Sequence, residues 1–168
     1  MKRLRRVVRG IDHINIGAAY LMGVALLTLT ALVIFDVMAR KFAWGMAWGF
    51  DIEWFHNAAL LTISLGYAAY KEAFVKIDLL TAGHSPRTQS ILMIVSYMLF
   101  AIPFSLIIIK FGWDWSTDAM MHQETTRTAH FPVSPIKFLV VVGFSLMLLQ
   151  ILASTIRHAI FVVKRVEL

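Results

Sequence analysis

Residues 89–111 read QSILMIVSYMLFAIPFSLIIIKF, and no charge interrupts the run before Lys110. At 1.5 Å of rise per residue, about 20 apolar residues cross the hydrocarbon core of a bilayer; a soluble helix would carry charges along its wet face. Further apolar blocks lie at 14–38 and 136–156, with a shorter one at 54–70. Of the 168 residues, 59% are hydrophobic and 15% charged, with a mean hydropathy of +0.72. A soluble domain needs about a quarter of its residues charged. The expected fold is therefore all-α and membrane-integral, one domain over 1–168 with four transmembrane helices at about 14–38, 54–70, 89–111 and 136–156.

Between these blocks the composition changes. The start carries Lys2, Arg3, Arg5, Arg6 and Arg9, with Leu4, Val7, Val8 and Ile11 at helical spacing. A basic helix with one apolar stripe tends to lie in the headgroup plane. Its apolar block exceeds the roughly 7–15 residues of a signal-peptide core, so a permanent helix is expected. The link 39–52 is dense in Phe42, Trp44, Trp48 and Phe50, rings that favour the membrane interface. Residues 74–80 read as a second interfacial segment. The stretch 112–135 reads as the longest polar link, and Pro103 predicts a bend in the third span.

Placing both termini on one side gathers eleven basic residues there and five opposite. Basic loops stay in the cytoplasm, so both termini are expected on the cytoplasmic side of the membrane. The same asymmetry accounts for the net charge of +6 without nucleic acid, for which no soluble module remains. The absence of cysteine removes disulfides, thiolate metal sites and iron–sulfur clusters.

Polar groups beside a span need a partner or a reason. Asp36 and Arg40 stand four apart near the end of the first block, the favourable order for a helical ion pair, and a short link brings Arg40 within reach of Glu53. Glu53, His56 and Asn57 share a face. Two readings stand for this cluster: a lock between two helices, or contact with a partner subunit. No acid lies at mid-depth of a span, which disfavours an ion path. Ala58, Thr62 and Gly66 form a small-residue stripe that lets backbones approach, within the chain or against a partner. Gln150, deep in the fourth block, reads as an amide that pins a helix interface.

The six histidines form no facing pair at matching depth, as a bundle haem requires. Asp118, His122 and Glu124 read as a solvated loop rather than a metal site, and no catalytic constellation is present. No cofactor and no enzymatic activity are expected. The rival function is a membrane anchor of a respiratory oxidoreductase, which the histidine positions disfavour.

One further pattern orders these residues. Asp36-Val37-x-x-Arg40 is followed by an aromatic link with Trp48, then Glu53, Gly66, Lys71 and Val75-Lys76-Ile77-Asp78-Leu79-Leu80. This order resembles the small membrane subunit, or DctQ component, of tripartite ATP-independent periplasmic (TRAP) transporters. Phe74 stands where the family usually has histidine. Thr125, Thr126, Pro132 and Gly143 resemble the family more weakly.

The resemblance implies a scaffold for a large membrane subunit that moves substrate and sodium by an elevator motion. A periplasmic substrate-binding protein would deliver a small carboxylate to that pair. It further implies a subunit interface at Asp36, Arg40, Trp48, Glu53, Thr62, Gly66 and Asp78. The acidic outer links, with Asp51, Glu53, Asp114, Asp118 and Glu124, are expected to meet basic groups of the binding protein.

Overall fold

A computed structural model of the chain describes residues 2–42, 44, 48–73 and 85–164; Asp78 and the expected interfacial segment 74–80 lie outside the described residues. The elements are α1 (Lys2–Lys41), α2 (Gly49–Tyr70), α3 (Pro86–Ser96), a π-helical turn (Tyr97–Ala101), α4 (Ile102–Met121) and α5 (Ser134–Lys164). Three of the described helical stretches are long and apolar enough to cross a membrane: Arg5–Lys41, Pro86–Met121 and Ser134–Val163. The polar head of α2, with Asp51, Glu53, His56 and Asn57, keeps that helix below the same measure.

The helices overrun the expected spans. The basic start is not a separate headgroup helix: α1 runs unbroken for 40 residues, about 60 Å at helical rise. Gly10 and Asp12 stand between the basic start and the apolar block, but no proline does, and the helix continues through both. At the other boundary α2 opens at Gly49 rather than near residue 54, which shortens the aromatic link. The expected polar link at 112–135 is also corrected, because α4 continues through Trp113, Asp114, Trp115 and Asp118 to Met121. Gly112 does not break it; a methyl there would stand 3.3 Å from Val141 Cγ2, so the bare Cα serves close packing on α5.

Pro103 is accommodated through a change of hydrogen-bond register. It donates nothing to the helix ladder and its ring crowds the carbonyl four residues back. The chain widens into the π turn just before it, where Ile102 N–H bonds the Tyr97 carbonyl.

Helix α5 is the hub. It packs against α2, against α4 and α3, and more lightly against α1, which leans mainly on α2. The burial pattern of α1 repeats every seven residues: Val8, Asn15, Met22 and Asp36 are buried, with Leu29 half-buried in the same register. A seven-residue repeat is the signature of a narrow seam between two nearly parallel helix axes. Between Ile14 and Met38 most of the rest of α1 is exposed and apolar, with Tyr20 76% and Leu27 71% exposed, as suits a surface that lipid or another subunit covers.

Between α2 and α5 the backbones nearly touch. A side chain at Gly143 would overlap the main-chain carbonyl of Thr62, and one at Gly66 would overlap the Asn15 amide. The stripe read from the sequence therefore packs within this chain. Gly66 is buried against α1 and α5 and leaves no surface for a second chain.

Candidate functional site

The helices pass in alternating directions, so the bundle has a terminal end, where residues 12 and 157 meet, and a distal end at the α1–α2 and α4–α5 links. At the distal end the structure brings together the first cluster. Asp36 is 1% exposed, and Arg40 donates to its Oδ2 across one helical turn. The other oxygen, Oδ1, faces Gly49, where any Cβ would lie 2.7 Å away. Glycine at the start of α2 thus makes room for the carboxylate, whose Oδ1 is buried with no hydrogen-bond partner among the described residues. Glu53 lies within electrostatic reach of Arg40, and its Oε1 is buried without a hydrogen-bond partner among the described residues. Trp48 precedes α2 and stays 41% exposed.

This geometry joins two helices of one chain and leaves an exposed face as well. The Arg40 side chain is 58% exposed, so the guanidinium reaches outward from the buried acid. Both sequence readings of the cluster therefore keep a structural basis.

The second distal feature is the loop between α4 and α5. It folds as a small hairpin, with Thr125 bridged to Pro132 and Thr126 N–H bonded to the Phe131 carbonyl at 2.8 Å. Asp51 pins it: the carboxylate accepts from Thr126 Oγ1 at 2.7 Å and from Ala129 N–H at 2.8 Å. The Thr126 hydroxyl, together with that backbone donor, holds the Asp51 carboxyl below its ordinary pKa. Asp51 is 4% exposed, so its expected availability to a docking protein is overturned: both donors come from the chain itself.

Glu124 Oε2 meets Lys137 Nζ, and that ammonium also lies 4.4 Å over the Trp115 ring. The pair ties the hairpin to the first turn of α5, while Glu124 remains 42% exposed. Asp114 and Asp118 are exposed on the last turns of α4, and His122 stands 3.2 Å from Asp118. An exposed pair of this kind adds little stability and leaves the acids open to a partner.

The terminal end holds a network that sequence reasoning found only in part. Gln150, fully buried, accepts from Asn15 Nδ2 at 2.7 Å and donates to Asp12 Oδ1 at 2.8 Å. Arg157 meets the other Asp12 oxygen at 3.2 Å and Ser154 Oγ at 3.1 Å. Gln150 does pin an interface, between α1 and α5. One of its partners, Asn15, leaves a signal in the sequence: the first and fourth apolar blocks each hold a single carboxamide, both toward the terminal end. A neighbouring contact sets His158 Nε2 3.0 Å from Glu72 Oε1, beyond the C-terminus of α2.

The described geometry is that of a packed bundle with polar locks at both ends. A family model described as the DctQ component of tripartite ATP-independent periplasmic transporters matches residues 29–160. No curated protein and no solved structure gives a significant match.

Proposed function

Because the chain belongs to the DctQ family of tripartite ATP-independent periplasmic transporters, a family of transporter components, we propose that it is the static small membrane subunit of such a system. In this reading it braces a large elevator-type membrane subunit during sodium-coupled uptake of a small carboxylate from a periplasmic binding protein. The observation that carries it, beside the family match, is that α5 packs against each of the other described helices, with close backbone approach to α2 and a buried polar bond to α1. A body so joined suits a support rather than a moving part.

The proposal places the terminal end in the cytoplasm, following the eleven basic residues counted on that side. Helix α2 is then the fourth span. Its polar head sits at the outer interface, and α1 and α5 shield much of its length. Arg40, Trp48 and Glu53 form a distal contact with the large subunit, with buried Asp36 holding Arg40 in place from beneath, and Asp78 is assigned to the same subunit interface. Thr62 and Gly66 serve that interface indirectly, by holding α2 against α5. Asp114, Asp118 and Glu124 offer negative charge to the binding protein.

Reconstituted uptake tests this reading. Vesicles with the large subunit, this chain and the binding protein should accumulate substrate down a sodium gradient, and omitting this chain should abolish uptake. Charge reversal at Asp114 and Asp118 together should slow association of the binding protein by about tenfold at low salt, as for other steered encounters. Uptake that persists without this chain would sink the scaffold role, and unchanged binding by the charge-reversed variant would sink the docking role.

A further inference from the structure

The open face of α2 is built differently from the other bare surfaces. On α3, the π turn and α4 the exposed side chains include Leu92, Leu99, Phe100, Phe104 and Ile107, a surface apolar enough to lie in acyl chains. On α2, Trp54, Asn57, Leu61, Ser64 and Ala68 follow one another at alternating steps of three and four. That spacing is a helix-packing seam. Trp54 is 47% and Leu61 66% exposed, and Asn57 is exposed too, so no described residue of this chain occupies the seam. Leu26 and Leu29 of α1 wall it on one side, making a groove with Asn57, Leu61 and Ser64 along its floor.

Two features of the groove select protein over lipid. An amide and a hydroxyl on a bare membrane-facing seam gain nothing from acyl chains, whereas a neighbouring helix supplies partners. The groove also ends at an unbalanced charge. Glu53 lies one turn before Asn57, and Asp36, Arg40 and Glu53 together leave one negative charge, with Glu53 Oε1 buried and unpaired among the described residues. The complement is a hydrogen-bond donor or a basic side chain.

We propose that the α1–α2 groove seats a transmembrane helix of the large membrane subunit, which brings a donor or a Lys or Arg level with Glu53 and a hydrogen-bonding group opposite Asn57. This rests on the chain being the small subunit. It adds which face is occupied and by what chemistry, and it assigns the face of α3–α4 to lipid.

A photo-cross-linking residue in the intact complex, placed at Leu61 or at Phe100, reads the occupant of each face. Leu61 should cross-link to the large subunit and Phe100 to lipid alone. The exposed position of Asn57 lets Asn57→Leu fold normally, and the variant should release the large subunit roughly fivefold more readily, as for loss of one interhelical hydrogen bond. Cross-links from Phe100 but not Leu61 would overturn the inference, as would Leu61 cross-links to lipid alone or to a second copy of this chain, or unchanged release by Asn57→Leu. Each of those results is read on a complex that still forms. Failure of the unmodified chains to associate would instead strike the subunit reading itself.

Discussion

Gly143→Ala should unfold the bundle more readily than any other single methyl added to a glycine whose surroundings are described. The new Cβ would overlap the Thr62 carbonyl, part of the α2 main chain, and no rotamer change clears it. Helices α2 and α5 would have to separate, the upper end of the overpacking range at about 3 kcal/mol. Gly66→Ala meets the Asn15 amide instead, the tip of a side chain, which can turn aside by giving up its bond to Gln150. Gly23→Ala meets nothing within 4 Å and should be neutral or slightly stabilising, since alanine is the better helix former. Thermal unfolding of the three variants in detergent checks the order. A Gly143→Ala protein as stable as Gly23→Ala would mean that α2 and α5 do not touch there.

Removing the Asp51 carboxylate should free the distal hairpin while leaving the helices in place. In Asp51→Ala the Thr126 hydroxyl and Ala129 N–H lose their acceptor, and no other described side chain stands in for it. Amide exchange at Ala129 should quicken by at least about tenfold, as befits loss of a hydrogen bond to a charged group. The native chain should show the same loosening in acid. The folded-state pKa of Asp51 is lowered, so its stabilising effect is complete above the ordinary carboxylate value near pH 4 and fades as pH falls through the lower folded value. Exchange measured across this range in native chain and variant should converge at the acid end. An Ala129 amide as protected in Asp51→Ala as in the native chain would remove Asp51 from its assigned role.

The general architecture was legible because apolar blocks of this length admit few alternatives, and the order of Asp36, Arg40, Glu53 and Gly66 carried the family. Helix boundaries were less legible. Polarity at Asp114 and Asp118 reads as a loop when helix is judged by membrane depth, yet α4 keeps its hydrogen bonds past the expected end of the span to Met121. The basic start of α1 misled for the same reason. Among the site residues, Asp36 and Arg40 were legible as a pair because both lie on one helix, four apart.

Asp51 was misread as a docking acid because its partners, Thr126 and Ala129, lie 75 and 78 positions away and follow no local spacing. The Asp12–Gln150–Asn15 network was half read, through Gln150, for a similar reason. The seven-residue burial repeat of α1 stayed hidden, since nearly every other position there is apolar too. In a membrane helix the contrast that marks a buried face in water is absent.

Co-purification tests the central claim most directly. Tagged and expressed with the two other components, this chain should leave a detergent column with the large membrane subunit in equal amount. That stoichiometry should survive washing at high salt, because an intramembrane helix interface rests on packing rather than on screened surface charge. A chain that elutes alone, or with a haem-bearing or flavin-bearing partner, would contradict the account.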